Sequence, residues 1–406
     1  MKKPAQAEVN IGMVGHVDHG KTTLTKALTG KWTDTFSEEI KRGISIRLGY
    51  ADVSMYKCPE CKGSEAYSVT EKCSSCGKKS QLLRKVSIVD APGHETLMAT
   101  MISGAAILDG AILVIAANEA CPQPQTEEHL EAIKISGIKN IVVAQNKIDL
   151  VSREEALKNR EQIKAFLDSK EYPKTPIIPI AANHKTNLDV LLEAVNETIP
   201  TPEKDLESAP LMFVARSFEV NRPGTEPGKM TGGVVGGSII KGRLKVGDEI
   251  EISPPTEKGP STTTIVSLST EAEKIQEARP GGLIAIGTLI DPFFSKNDKL
   301  KGSVIGLKGS VPEARKTLEV DFHAIKRTTE VEKQLSSAIQ KGETVVVAIG
   351  TGVTTGKVTG AQKTQQEHSK VVIELSRPLC APPKSRAVIS RNTGKGWRLS
   401  GYGQVS

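Results

Sequence analysis

One octapeptide constrains this chain more than any other feature. Gly15-His16-Val17-Asp18-His19-Gly20-Lys21-Thr22 reads G-x-x-x-x-G-K-[ST], the pattern of a loop that wraps phosphate oxygens in backbone N–H groups. The pattern carries that meaning only on a strand-to-helix turn, and the flanks supply one. Residues 8–14 alternate apolar and polar as a strand does, and residues 23–28 suit a helix. Glycines let the backbone crowd onto phosphate, and the helix N-terminus adds unpaired donors and a favourable dipole. Asp18, His19, Gly20 and Thr23 fall in the same cradle; Lys21 is expected to reach the outer phosphates and the Thr22 hydroxyl to ligate Mg²⁺. A Gly-rich turn can match by chance. With strand, helix, Lys and Thr all in place, this is a nucleotide site.

The rest of a nucleotidase follows in order. Residues 38–45, Glu-Glu-Ile-Lys-Arg-Gly-Ile-Ser, form a polar, Gly-containing segment before a strand-like run over 46–53. A Mg²⁺-dependent nucleotidase draws a second hydroxyl from a mobile segment that closes over the γ-phosphate, and Ser45 is the best-placed candidate. Residues 86–89 read as a buried strand ending in Asp90-Ala-Pro-Gly93-His94. Asp90 can hold a Mg²⁺ water and the Gly93 N–H can contact a γ-phosphate. His94 alone would read as a cap or surface histidine; after D-x-x-G in a phosphate-loop protein it stands where a water-positioning group must be.

Residues 111–116 and 141–144 are further apolar strand runs, separated by a helix-like stretch over 126–136, and Asn146-Lys147-Ile148-Asp149 comes next. A carboxylate at Asp149 can accept both the N1–H and the 2-amino group of guanine. Adenine offers neither and leaves the acid unpaired. The tetrapeptide is weak by itself but strong at a strand's end, third after Thr22 and Asp90. The nucleotide is read as GTP, with GDP as product. A last strand over 177–181 leads to Ala181, Ala182 and a helix over 188–198. Strand and helix patterns alternate throughout, so an α/β, doubly wound, mostly parallel sheet is expected, with ligands at the carboxyl ends of its strands.

Inside this region Cys58, Cys61, Cys73 and Cys76 form C-x₂-C-x₁₁-C-x₂-C, with Gly63 and Gly77 close behind the pairs. Two such knuckles put four thiolates around a tetrahedral ion, the ligand set Zn²⁺ prefers. The spacer is slightly short for a zinc ribbon, and a redox dithiol does not explain a second pair. A closed structural zinc site is expected, without catalysis; Cys121 and Cys380 have no partner pattern.

Length and composition set the frame. A chain of 406 residues points to two or three domains. The N-terminal Met-Lys-Lys-Pro lacks a signal peptide's apolar run, and the longest apolar stretch, 102–117, is broken by Asp109 and two glycines. A cytoplasmic protein with no membrane contact is expected. The net charge of +7 makes nucleic acid a plausible partner, while 3% aromatics argue for backbone and shape contacts over rows of stacked bases.

After residue 200 the character changes to short alternating strands between glycines: 211–220, 232–240, 248–252, 262–268 and 282–290. A second set follows a break near 309–312: 316–322, 344–349, 370–375, 387–391 and 396–405. Two small all-β barrels are expected, giving a GTP-binding domain over 1–205 with the knuckle at 58–76, then barrels over 206–312 and 313–406. Arg377, Lys384, Arg386, Arg391, Lys395 and Arg398 in the last third read equally as a phosphate-binding face or a solvated basic surface.

These motifs together resemble the translational GTPases. The phosphate loop, Lys41-Arg-Gly-Ile-Ser-Ile, Asp90-Ala-Pro-Gly-His, Pro122-Gln-Pro-Gln-Thr126 and Asn146-Lys-Ile-Asp carry a likeness to elongation factor Tu and its relatives. The cysteine knuckle, Gly232-Gly-Val-Val-Gly-Gly and Arg279-Pro-Gly-Gly-Leu narrow it, end to end, to the gamma subunit family of archaeal and eukaryotic translation initiation factor 2. The resemblance implies a heterotrimer with alpha and beta subunits that delivers methionyl initiator tRNA to the small ribosomal subunit in a GTP-dependent way. It implies Mg²⁺ at Thr22 and Ser45, a second Mg²⁺ linked to Asp18 and the Gly43 carbonyl, and His94 placing the attacking water behind an apolar gate of Val17 and Ile44. Two positions depart from the pattern: Ser45 stands where Thr is usual, and Ala181-Ala182 where Ser-Ala usually contacts guanine. The hydroxyl survives in the first; the seryl support of the guanine loop is lost in the second.

Two other readings compete. A selenocysteine-specific elongation factor shares the motifs but is expected to carry an extra C-terminal RNA-binding region. A GTP-holding scaffold without turnover is opposed by His94 and the Asp90 motif. Base choice is directly testable. Asp149→Asn is expected to weaken GTP binding by about 2–3 kcal/mol or more and to favour xanthosine triphosphate, whose 2-oxo group suits an amide donor. Unchanged GTP affinity in that variant overturns the guanine assignment.

Overall fold

The structure, a computed structural model, describes residues 5–33, 49–91, 98–221, 224–226, 231–256, 259, 261–325, 339–365, 368–382, 384–394 and 396–406. The chain divides into two compact units, residues 1–97 with 108–203, and residues 98–107 with 204–406.

The first unit is built on a seven-stranded sheet. Its strands are β1 (Val9–Val14), β2 (Gly49–Lys57), β3 (Tyr67–Ser68), β4 (Gln81–Asp90), β5 (Gly110–Ala116), β6 (Ile141–Asn146) and β7 (Ile177–Pro179), in the order β3-β2-β4-β1-β5-β6-β7. From β4 to β7 the neighbours run parallel, and β2 and β3 form an antiparallel edge. The sequence suggested that β1 alternates between a wet and a dry face. All six of its residues are buried instead, because a strand in the middle of a parallel sheet is covered on both sides. Its one polar side chain, Asn10, belongs to a residue whose N–H donates to Asp109 Oδ2 at 2.8 Å.

Helices α1 (Lys21–Thr29), α3 (Pro124–Ile135), α4 (Arg153–Ser169) and α5 (Leu188–Thr198) separate these strands in the chain, while α2 (Met98–Ala105), between β4 and β5 in sequence, belongs to the second unit. Leu24 and Leu28 of α1 and Leu191, Leu192 and Val195 of α5 join Ile11, Met13, Ile88, Ile112 and Val142 of the sheet in one core. Helix α4 was not anticipated from hydropathy, since only Asn159, Ile163, Phe166 and Leu167 of its residues are buried. Its start was nonetheless written in the chain: Ser152 and Glu155 form a reciprocal capping box, with Glu155 N donating to Ser152 Oγ at 3.2 Å and Ser152 N to Glu155 Oε2 at 2.8 Å. Strand β2 runs to Lys57, past the expected end at residue 53, and delivers the chain directly to Cys58.

The second unit holds two barrels of six strands each, where five apiece were expected. The first closes through Glu249–Ser253, Val304–Leu307, Leu211–Phe218, Val234–Lys241, Ile284–Thr288 and Thr262–Ser269, which pairs back to Glu249–Ser253. The added strand is Val304–Leu307. The second closes through Ala314–Ala324, His368–Cys380, Gly352–Gln365, Thr344–Ile349, Arg386–Asn392 and Trp397–Val405. Its added strand, Gly352–Gln365, alternates buried Thr354, Gly356 and Val358 with exposed Thr355, Lys357 and Thr359. The period of two is present, but small and hydroxylic residues fill the inner face, so hydropathy does not reveal it.

Two imidazoles are sealed inside the first unit. His129 of α3 and His19 of the phosphate loop have no solvent exposure, and burial pushes their pKa values down to about 3 and about 4 from 6.5. Both are neutral in the folded protein, while the unfolded chain takes up their protons as pH falls below about 6.5. Their contribution to stability is therefore complete above that pH. It declines from pH 6.5 towards 4, by up to about 1.4 kcal/mol per pH unit for each ring. Denaturant unfolding of the protein at pH 7.5 and at pH 5 should show the loss, and equal stability at the two values contradicts the burial argument.

Candidate guanine nucleotide site and cysteine cluster

The phosphate loop leaves β1 through two backbone turns that only certain residues accept. Gly15 has φ 139°, and a Cβ there would lie 2.2 Å from the Val114 carbonyl oxygen. Gly20, with φ 92°, caps α1 without help from any side chain, and its imagined Cβ would lie 2.3 Å from Asn146 Nδ2. Asp18 between them also takes a positive φ of 59°, which a short acid tolerates. The result is a curled loop ending at a helix N-terminus whose donors are not spent on a cap, an anion cradle by construction. Lys21 Nζ lies across it, donating to the His16 carbonyl at 2.6 Å. His19 faces away from the cradle: its ring is buried, with Nδ1 3.1 Å from the Val114 carbonyl and Nε2 3.4 Å from Glu119 Oε2. Val17 is half-buried in the same loop, and Thr22 and Thr23 form the first turn of α1.

The guanine motif sits at the end of β6, as its spacing predicts. Asn146 Nδ2 donates to the His19 carbonyl at 2.9 Å, and Asn146 Oδ1 accepts the Ala182 N–H at 3.0 Å. One amide thus ties the phosphate loop to the loop after β7. Lys147 adopts φ 61°, turning the chain so that Asp149 lies exposed in the short turn that follows, with Oδ2 3.5 Å from His184 Nε2. Ala181 and Ala182 are buried. Asn146 thus anchors the loop after β7 at Ala182, beside Ala181, which has no side-chain hydroxyl.

Asp90 closes β4 at the same edge of the sheet, buried, with Oδ2 accepting from Thr33 Oγ1 at 2.7 Å. A buried carboxylate and the hydroxyl-bearing first turn of α1 are oxygen donors, the type a hard cation such as Mg²⁺ takes. The candidates Gly43, Ile44, Ser45, Gly93 and His94 lie outside the described residues.

The four cysteines come together. Their sulfur atoms all lie within 4.8 Å of one another, with Cys58 to Cys76 at 3.5 Å and Cys61 to Cys73 at 3.7 Å. A tetrahedron with metal–sulfur bonds of about 2.3 Å has edges of roughly 3.8 Å, so the spacing fits a tetrahedral soft ion and not a disulfide. The N–H groups of Cys76 and Ser75 hold the Cys73 thiol down at about 6. Cys58 and Cys73 are buried among Ala66, Tyr67 and the α5 leucines. Cys121 and Cys380 stand apart from the cluster, and the Cys380 thiol donates to the Pro312 carbonyl at 3.0 Å.

The basic row of the last third is not one free face. Arg391 is committed to Glu343 through two hydrogen bonds of 2.9 and 3.0 Å, and the Arg377 guanidinium is half-buried, 3.4 Å from the Lys299 carbonyl. Lys384 and Arg386 remain exposed, and Lys395 lies outside the described residues. His129 is the residue that sequence reasoning missed. Its Nδ1 accepts the Gly15 N–H at 3.0 Å, and its position three residues after Thr126 was the only available signal.

Comparison with known proteins agrees with this geometry. The family model of the elongation factor Tu GTP-binding domain matches residues 6–201, that of elongation factor Tu domain 2 matches 232–305, and that of the initiation factor eIF2 gamma C-terminal region matches 316–405. Translation initiation factor 2 subunit gamma of Pyrococcus abyssi is 51% identical, over 100% of this chain and 98% of that one. The Archaeoglobus fulgidus subunit is 52% identical over 98% and 94%, and the Methanococcus maripaludis subunit 52% over 98% and 98%. Among solved structures, a bacterial selenocysteine-specific elongation factor superposes with a TM-score of 0.74 at 26% identity. The match covers 98% of this chain but 58% of that one. Identity at this level over the whole length settles the relationship: the chain belongs to the gamma subunit family of translation initiation factor 2, and it is a GTP-hydrolysing translation initiation factor.

Proposed function

We propose that this chain, assembled with alpha and beta subunits, binds methionyl initiator tRNA in its GTP state and delivers it to the small ribosomal subunit. The observation that carries the reading is the match of residues 316–405 to the eIF2 gamma C-terminal model, alongside full-length relatives named as gamma subunits. The selenocysteine-specific reading is disfavoured, since the superposable factor is 26% identical while the gamma subunits of Pyrococcus abyssi and Archaeoglobus fulgidus are 51% and 52% identical.

In this reading the domains run 1–205, 206–312 and 313–406. Asp18, His19, Gly20, Lys21, Thr22 and Thr23 hold the phosphates. Asp149 reads guanine, with Asn146, Lys147, Ala181 and Ala182 shaping its loop. Thr22 and Ser45 would ligate one Mg²⁺, Asp90 would hold one of its waters and the Gly93 N–H would contact the γ-phosphate, while Asp18 and the Gly43 carbonyl would serve a second ion. Mg²⁺ neutralises phosphate charge when bound. His94 places the attacking water, restrained by Val17 and Ile44. Phosphoryl transfer leaves little covalent work to protein groups, so placing that water is the main task. Cys58, Cys61, Cys73 and Cys76 hold a structural Zn²⁺, a role supported by their mutual spacing.

A switch needs a cargo that binds its two states unequally. In the assembled complex, methionyl initiator tRNA is expected to bind tighter with GTP than with GDP, and to weaken as salt rises because phosphate contacts release counterions. Filter binding with differently charged tRNAs checks this. Equal affinity for initiator and selenocysteinyl tRNA, or no dependence on nucleotide, contradicts the reading.

A further inference from the structure

The imidazole of His129 lies behind the phosphate loop, fully out of solvent. Its Nδ1 accepts the Gly15 N–H at 3.0 Å, a contact between residues 114 apart in the chain. Its Nε2 has no hydrogen-bond partner among the described residues. Burying a ring with one nitrogen unsatisfied is unfavourable, and an apolar side chain of similar size would avoid the cost. What the ring provides in exchange is an acceptor at Nδ1.

The place of that acceptor gives it meaning. The ladder between β1 and β5 pairs Val14 with Leu113 and goes no further, so Gly15 is the first residue of the loop without a strand partner. Its φ of 139° and the nearness of the Val114 carbonyl hold the backbone in a conformation closed to other residues. In the described structure the donor of that first residue is met by His129. A loop free to rotate at Gly15 would carry the amides of Asp18 to Lys21 off the phosphate position, and sub-ångström placement governs binding and rate in such sites. The ring suits the task because burial keeps it neutral, with its pKa near 3, so Nδ1 stays an acceptor throughout the working pH range. Helix α3, which carries it, packs on β5, so the acceptor is mounted on the same sheet that launches the loop.

We propose that His129 is a positioning residue of the GTPase reaction, fixing the phosphate loop for the nucleotide through one hydrogen bond to the Gly15 N–H. It acts through the loop and not on the reacting atoms.

The test compares His129→Leu, which removes the acceptor, with His129→Asn, whose amide oxygen can stand near the place of Nδ1. Release of fluorescent GDP and GTP analogues is measured at pH 7.5 beside the melting temperature of each protein. The melting temperature shows that each variant is folded when its release is read. The leucine variant is expected to release both nucleotides at least ten-fold faster than the parent, and the asparagine variant to stay within about three-fold. A folded leucine variant with parental release rates overturns the proposal, as does an asparagine variant that releases as fast as the leucine one. Should the leucine variant fail to fold, His129→Ala removes the same acceptor without added bulk and is read by the same criteria.

Discussion

The Asn146 carboxamide is shared between the phosphate loop and the loop after β7. Its Nδ2 holds the His19 carbonyl and its Oδ1 holds the Ala182 N–H, at 2.9 and 3.0 Å in a buried setting. Such bonds contribute only about 1 kcal/mol each, but leaving one partner unmet in the interior costs about 1–3 kcal/mol. The phosphate end and the base end of the site are therefore not independent loops. Gly20 sits so close beneath this amide that no side chain fits between them. With His129 at Gly15, His19 against the Val114 carbonyl and Asn146 on the His19 carbonyl, the loop is fastened to α3, β5 and β6 at its two ends. The cradle is part of the sheet's edge.

That arrangement explains a departure from the family pattern. Where a seryl hydroxyl usually supports the guanine loop, this chain has Ala181. The loop does not need the hydroxyl to keep its shape, because Asn146 already anchors the neighbouring N–H and the Thr186 N–H pairs with the Ala181 carbonyl at 3.1 Å. The cysteine cluster is a separate solution to a local problem. Strand β2 runs out to Lys57, and the chain must return to β4 without a hydrophobic core of its own. Two tight knuckles, each followed by a glycine in the left-handed region, turn it around four sulfurs.

What the sequence disclosed follows from the range of each interaction. The phosphate loop, the Asn146-Lys-Ile-Asp tetrapeptide and the cysteine pairs are short motifs of fixed spacing, so their places at strand ends, and the gathering of the four sulfurs, were legible. The sheet was legible because parallel strands buried on both faces read as continuous apolar runs, as Gly110–Ala116 does. Gly352–Gln365 was not, because its inward residues are small or hydroxylic. Nor was α4, whose buried stripe is thin and whose capping box outweighs its hydropathy. The bond from Gly15 to His129 joins positions that only the fold brings together, and the place of His129 three residues after Thr126 was its one local sign. The basic row stayed open between two readings for a related reason: charge can be counted in a sequence, but the commitment of Arg391 to Glu343 cannot.

The central claim is that the chain's own hydrogen bonds, from His129, Asn146 and His19, fasten the floor of the nucleotide site. Amide hydrogen exchange of the nucleotide-free protein tests it most directly, because a fastened loop protects its N–H groups without ligand. The Gly15 and Ala182 amides are predicted to be protected to nearly the level of β1 in the absence of GTP, and to gain little when it is added. Exchange at those two amides as fast as in an exposed loop, slowed only by nucleotide, would contradict the account.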